Sequence, residues 1–325
     1  QPDDLDELLD LVEKQILVTP GCSVETIQDR VEEALMQRGH YQVAKNFILY
    51  REKRTELRTC RLALSVATGD SDLDGCLFEI QNDFKAPEYS LEVLTAKFNS
   101  QVSPTASVDE KLDTLIRSAV ELTTQNAPRY EQIAGRLLCH SFKRKLAQRE
   151  QNLGLTDFYT KLMFLAEHGL YGKYILENYT KEEIDKAAGL IDENRNKLFN
   201  YSGLQLVLER YVIKSHNNEI LESPQELFLG VALHLAMLEK KDVRMQYVKR
   251  FYDMLSKLEV TMATPTLANA RKPYHQLSSC FIDTVPDSLA GIYRSLDNFA
   301  QVSKFGGGMG LYFGKVRARG SDIRG

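Results

Sequence analysis

Three glycines in a row, Gly306 to Gly308, set the terms for the residues on both sides of them. Glycines add nothing to a core; they let the backbone take angles closed to other residues, or let a ligand come close to it. Before them, Leu277, Phe281, Ile282 and Val285 bracket Cys280 in QLSSCFIDTV, a run of strand character closed by Pro286. Between the two, from Ser288 to Lys304, the apolar residues Leu289, Ile292, Leu296, Phe299 and Ala300 recur at helical spacing. Asp287 is placed to cap the first turn and Lys304 lies beside the last carbonyls. The pattern predicts a strand, a helix with one face made for packing, and a glycine turn.

The chemistry of this stretch follows from its polar residues. Cys280 on a strand is either a buried structural thiol, since free cysteine behaves as a small hydrophobe, or a reactive one. After the turn, KVRARGSDIRG puts Arg317, Arg319 and Arg324 on a glycine-containing loop, where guanidinium forks can grip phosphate oxygens two at a time. With the Asp287 carboxylate for a sugar hydroxyl, the set suits a nucleotide.

The rest of the chain reads as mainly helical. Leu5, Leu8, Leu9, Val12 and Ile16 line a helix over 3–18 that Pro20 and Gly21 end. Ser23 caps a second helix whose face is Val24, Ile27, Val31 and Leu35, and a third runs from about Tyr41 to Leu57 through Val43, Ala44, Phe47 and Ile48. Residues 59–89 change character: ATGDSDLDG is acidic and rich in turn formers, as in a linker. Asp70, Asp72 and Asp74 lack the glutamate that an EF-hand loop requires, so a solvated loop is expected there. Ser107 and Glu110 form a capping box for a helix with Leu112, Leu115, Ile116, Ala119 and Val120 inward. After a break at 126–128, YEQIAGRLLCHSFKRK echoes YQVAKNFILYREKR, so the plan repeats; Cys139 and Lys145 in this copy read as core thiol and surface charge. Beyond it, Thr180 with Glu183 makes another capping box, 211–221 reads as a hairpin turning at 216–218, and Pro224 opens a leucine-rich helix. Tyr247, Phe251, Tyr252 and Leu255 stripe the helix that follows.

Bulk properties narrow the function classes. A chain of 325 residues has room for two or three domains, and its 43% hydrophobic and 26% charged content is that of an ordinary globular protein. A net charge of -4 leaves no basic footprint for a nucleic-acid backbone. No apolar run is long enough to span a bilayer and no signal peptide is recognisable. The five cysteines, odd in number and scattered without CxxC or metal-ligand spacing, fit a reducing cytoplasm. The six histidines are equally dispersed, and no metal is assigned.

TPTLANA, QLSSC, the Asp-Ser pair before a helix, SKFGGGMG and VRARGSDIRG, in this order, resemble the large, catalytic subunit of ribonucleotide reductases, most closely class I. LENYTKEEID, YVIKSHNNEILESPQELF and QYVKRFYDMLS extend the resemblance upstream. VETIQDRVEEALMQRGHYQVAKNFILYREKRTELR is similar to the helical part of an ATP-cone, the nucleotide-regulated module of this family, without the Lys-Arg-Asp-Gly strand that precedes it. Arg54 there is either a phosphate contact or a basic helix end.

The resemblance implies a mainly α chain, helical modules and a helical domain leading into the start of a ten-stranded α/β barrel. The divisions expected are a partial cone over 1–58, a linker over 59–89, a second cone-like module over 90–150, a helical domain over 151–260 and the barrel's opening over 261–325. It implies ribonucleoside-diphosphate reduction by radical chemistry, with Cys280 the first member of the redox pair. Thr264, Ser279, Cys280, Gly307 and Gly308 would line the substrate. Asp287, Ser288, Leu289, Lys304, Arg317 and Arg324 would take an allosteric effector, with serine standing in some relatives where this chain has Lys304. ATP, dATP and other deoxynucleoside triphosphates are the expected effectors. The radical cofactor is expected in a small-subunit partner, thioredoxin or glutaredoxin as reductant, and self-association is expected. Gln1 in place of a methionine, and an end at Gly325 inside a motif, lead to the expectation of a piece of a longer enzyme, inactive alone. Two alternatives stay open: the adenosylcobalamin-dependent class, and a non-catalytic module that binds nucleotide and oligomerises.

Overall fold

The computed structural model describes residues 12–13 and 23–323, except for the side chains of Glu56 and Leu57. The helix expected over 3–18 and the contact expected of Arg324 therefore lie outside the described residues, Val12 and Glu13 apart. The chain divides into two compact units between residues 108 and 109.

In the first unit, α1 (Val24–Gln37) opens on Ser23, whose side chain accepts from the Thr26 amide. α2 (Tyr41–Thr68) packs on it, and Arg51 clamps the pair through Asp29 at 2.5 Å and Glu32 at 2.9 Å. α3 (Leu73–Asp83) and α4 (Leu91–Asn99) fold back on α2. Leu64, Leu73, Leu77, Ile80, Leu94 and Phe98, each 1% exposed or less, make the core. This corrects the linker expected over 59–89. The acidic turn signals mark only the break between α2 and α3, and helix runs on both sides of it. The carboxylates are used locally: Asp70 is buried and accepts from the Asp72 amide at 3.1 Å, and Asp74 pairs with Arg61 at 2.5 Å.

The second unit begins with α5 (Val108–Glu121), whose Leu112, Leu115, Ile116 and Ala119 are buried as expected. α6 (Tyr130–Leu153), α7 (Phe158–Glu167), α8 (Lys173–Asn178), α9 (Lys181–Ala188) and α10 (Tyr201–Arg210) follow. α6 packs along α10, so the cone-like stretch 90–150 does not form one body: α4 belongs to the first unit and α6 to the second. Thr180 and Glu183 form the expected capping box. The hairpin is present as a single antiparallel bridge, Lys214 to Ile220, with Asn218 in the left-handed region of its turn at φ 63°.

α11 (Pro224–Ala236) is the centre of this unit, with Leu227, Leu229, Val231, Ala232, Leu233 and Ala236 wholly buried, and α12 (Lys241–Ser256) lies against it. Its first turn carries a second device: Ser223 and Glu226 form a capping box, and the Glu226 carboxylate also takes the buried Lys161 ammonium at 2.7 Å. Lys161 bonds Glu150 as well, so one cation joins α6, α7 and α11. Two paired carboxylates make its burial tolerable and hold its pKa up against desolvation.

The last elements are α13 (Thr264–Asn269), β1 (Cys280–Thr284), α14 (Leu289–Lys304) and β2 (Gly308–Tyr312). β1 and β2 pair in parallel, and α14 supplies the crossover that parallel neighbours need. The helix and strand expected from the periodicity are both present. The packing face of α14 is not the one expected. Leu289 is 74% exposed and Leu296 53%, with Ile292 and Phe299 also on the surface, while Gly291 and Ser295 are the buried positions. The helix packs on the two strands with Gly291 close against Pro286, and its apolar stripe is on the surface.

Candidate functional site

The parallel register is what assembles the site. Cys280 is the partner of Gly308, and the Gly308 amide donates to the Ser279 carbonyl at 2.7 Å. Ser279, Cys280, Gly307 and Gly308 are thereby brought together across one ladder. The thiol is exposed among the described residues, and the Ser279 hydroxyl lies 3.5 Å from its sulfur. Gly306 turns the chain out of α14 at φ +82°, a conformation that favours glycine. Gly307 is required by space: a Cβ there would meet Val302 at 2.7 Å and Phe281 at 2.9 Å.

Thr264 stands at the start of α13. Its hydroxyl is 3.3 Å from the Tyr211 hydroxyl. α13 itself is tied to the approach of β1, since the Thr266 hydroxyl donates to the Leu277 carbonyl at 3.4 Å and the Asn269 side-chain amide to the Gln276 carbonyl at 3.0 Å. Asn269 also donates to the Phe305 carbonyl at 3.4 Å, at the entry to the glycine turn.

Behind α13 lies a buried ion pair that has no signature in the sequence. Arg271, with no exposed surface, donates from Nε to Glu222 at 2.6 Å and from its terminal nitrogens to Glu222, the Tyr211 carbonyl at 2.8 Å and the Leu267 carbonyl at 2.7 Å. Glu222 in turn accepts from the Ile213 amide at 2.9 Å. Its partner is distant in the chain and neither residue sits in a periodic pattern, so spacing could not find the pair. The ion pair holds Arg271 charged despite burial, while burial and the neighbouring guanidinium lower the pKa of Lys272. Beside it, Tyr174 bonds His234 at 2.8 Å, and burial, with His275 nearby, pushes the imidazole down to about 4.

The effector candidates separate in space. Ser288, not Asp287, caps α14: its backbone is extended and its hydroxyl accepts from the Gly291 amide at 3.1 Å. Asp287 is free for another use and takes Arg317 Nε at 2.8 Å, while Arg317 also donates to the Asp322 carbonyl at 2.7 Å. Acid and arginine are thus neighbours, with Leu289 exposed in the adjoining turn. Arg319 is exposed. Lys304 departs from the expected grouping. α14 has 16 residues, so its ends are roughly 22 Å apart. Within one chain Lys304 stands with the glycine turn, its ammonium 5.6 Å from the centre of the Phe305 ring.

Among the described residues no group of three or more His, Cys, Asp or Glu side chains is placed to hold a metal ion, and no helix is long and apolar enough to cross a membrane.

Known families share these parts. The family model for the ribonucleotide reductase all-alpha domain matches residues 197–275, that for the ribonucleotide reductase barrel domain matches 278–325, and that for the ATP cone domain matches 1–56. The ribonucleoside-diphosphate reductase subunit alpha of Treponema pallidum (strain Nichols) is 55% identical over 93% of this chain. That of Chlamydia pneumoniae is 30% identical over 94%, and the ribonucleoside-diphosphate reductase 1 subunit alpha of Escherichia coli (strain K12) 33% over 66%. The chain belongs to the family of ribonucleotide reductase large subunits. It spans 36% of the length of the Treponema relative, 31% of the Chlamydia one and 28% of the Escherichia one.

Proposed function

We propose that the protein to which this chain contributes reduces ribonucleoside diphosphates to deoxyribonucleoside diphosphates under allosteric control by nucleotides. Cys280 is one half of the dithiol that supplies two electrons as the 2' hydroxyl leaves as water, the pair closing to a disulfide. Thr264, Ser279, Gly307 and Gly308 line the substrate, and Asp287, Ser288, Leu289 and Arg317, with Arg324, take an effector. The observation that carries this reading is the register match of an exposed thiol with an exposed glycine, which has no side chain to keep a ligand away. The names of the relatives, each a subunit alpha, support a separate partner subunit; that this partner generates the radical, and that thioredoxin or glutaredoxin is the reductant in the cytoplasm, belongs to the same proposal. The match of 1–56 to an ATP cone supports ATP or dATP as a second effector and a change of assembly state on binding it.

The test uses the full-length protein with its small subunit. Cys280→Ser should abolish dithiol-dependent formation of deoxynucleotide while leaving effector binding intact; turnover within a few-fold of wild type rejects the role given to the thiol.

A further inference from the structure

We propose that Asn269 is a positioning residue, whose side-chain amide spans the lead-in to the thiol strand and the entry to the glycine turn and so holds Cys280 in register with Gly308. The proposal rests on the reduction reading given above.

An amide nitrogen has two hydrogens, and here each has an acceptor: the Gln276 carbonyl at 3.0 Å and the Phe305 carbonyl at 3.4 Å. Rotating the amide would put its oxygen against two oxygens, so the chemistry of the partners fixes its orientation. Those two carbonyls stand just upstream of the two strands that meet at Cys280 and Gly308. The turn of 306–308 has no side chain with which to hold itself, and its first glycine sits at φ +82°. A donor from outside adds a restraint that the turn's own residues lack.

The base from which Asn269 reaches out is itself fixed. One turn earlier Thr266 bonds the Leu277 carbonyl, and two residues later the fully buried Arg271 locks the end of α13 to Glu222 and Tyr211. The Gly172 amide donates to the Arg271 carbonyl at 2.8 Å. Asn269 thus carries the rigidity of the helical unit to the two backbone segments on which a sugar and its phosphates would rest.

The experiment compares wild type, Asn269→Ala and Asn269→Asp in the full-length protein assembled with its small subunit. It measures KM and kcat for a ribonucleoside diphosphate, and the protection by CDP of Cys280 against iodoacetamide, read by mass spectrometry. Asn269→Ala should raise KM and the CDP concentration for half-protection about tenfold, the effect of one to two hydrogen bonds, with kcat reduced less and dTTP affinity unchanged. Asn269→Asp, of the same shape, presents to two carbonyls a carboxylate that is ionised across neutral pH and has no hydrogen to donate. Its half-protection concentration should therefore rise at least as far as that of the alanine variant, although the side-chain volume is kept. Protection in wild type with unchanged protection in both variants overturns the positioning role alone, as does an aspartate variant protected like wild type. No protection in wild type overturns the reduction reading and this proposal with it.

Discussion

Two cysteines of this chain show how far environment outweighs residue type. Cys280 lies exposed on β1, whereas burial pushes the Cys139 thiol up to about 11. Since the thiolate is the nucleophile, iodoacetamide at pH 8 should label Cys280 well before Cys139; peptide mapping that finds equal rates contradicts the placement. A second prediction concerns Arg317, which is tied to Asp287. Arg317→Ala should weaken dTTP binding about tenfold by removing a charge-assisted contact, as measured by equilibrium dialysis, and unchanged affinity counts against the site. At this scale the sequence was legible where chemistry is local: Cys280 announced its strand through its neighbours. It was ambiguous at the start of α14, because Asp287 and Ser288 are both good caps. What decides is a partner thirty positions downstream, which draws the carboxylate away and leaves the cap to the serine.

Elements were legible where pattern and punctuation agree. Thr180 with Glu183, and Pro224 ahead of a leucine run, marked helix starts that the structure has. The stretch 59–89 was misread because a cluster of turn formers was extended to its helical flanks; Leu64, Leu73, Leu77 and Ile80 already carried the helical spacing. The face of α14 was misread for a different reason: periodicity finds the apolar stripe but cannot tell which neighbour reaches it. Two substitutions rank the devices that hold α11. Ser223→Ala removes a cap and should cost about 1 kcal/mol. Gly230→Ala should cost more, about 2 kcal/mol or above, since its Cβ would meet both Arg271 and Tyr171 at 2.6 Å. Urea unfolding of the two variants checks the order, and a Gly230→Ala protein as stable as wild type would show that the Arg271 pocket gives way easily.

For the whole molecule, acid sensitivity follows from one imidazole. The folded state holds His234 down to about 4 by burial and by His275, against an unfolded value near 6.5. Between those values the unfolded chain binds the proton and the folded one does not, so stability falls as pH drops from about 6.5 towards 4. His234→Gln, which cannot titrate, should flatten that part of the profile of midpoint against pH; an unchanged slope assigns the acid sensitivity to other groups. The order of the strands has a further consequence, in time. The thiol and the glycine that faces it are a whole helix apart along the chain, and parallel strands cannot pair until the crossover between them is complete. During synthesis Cys280 therefore leaves the ribosome before its opposite number exists, and the surface that sets the thiol beside the glycine turn is complete only once β2 has emerged and docked.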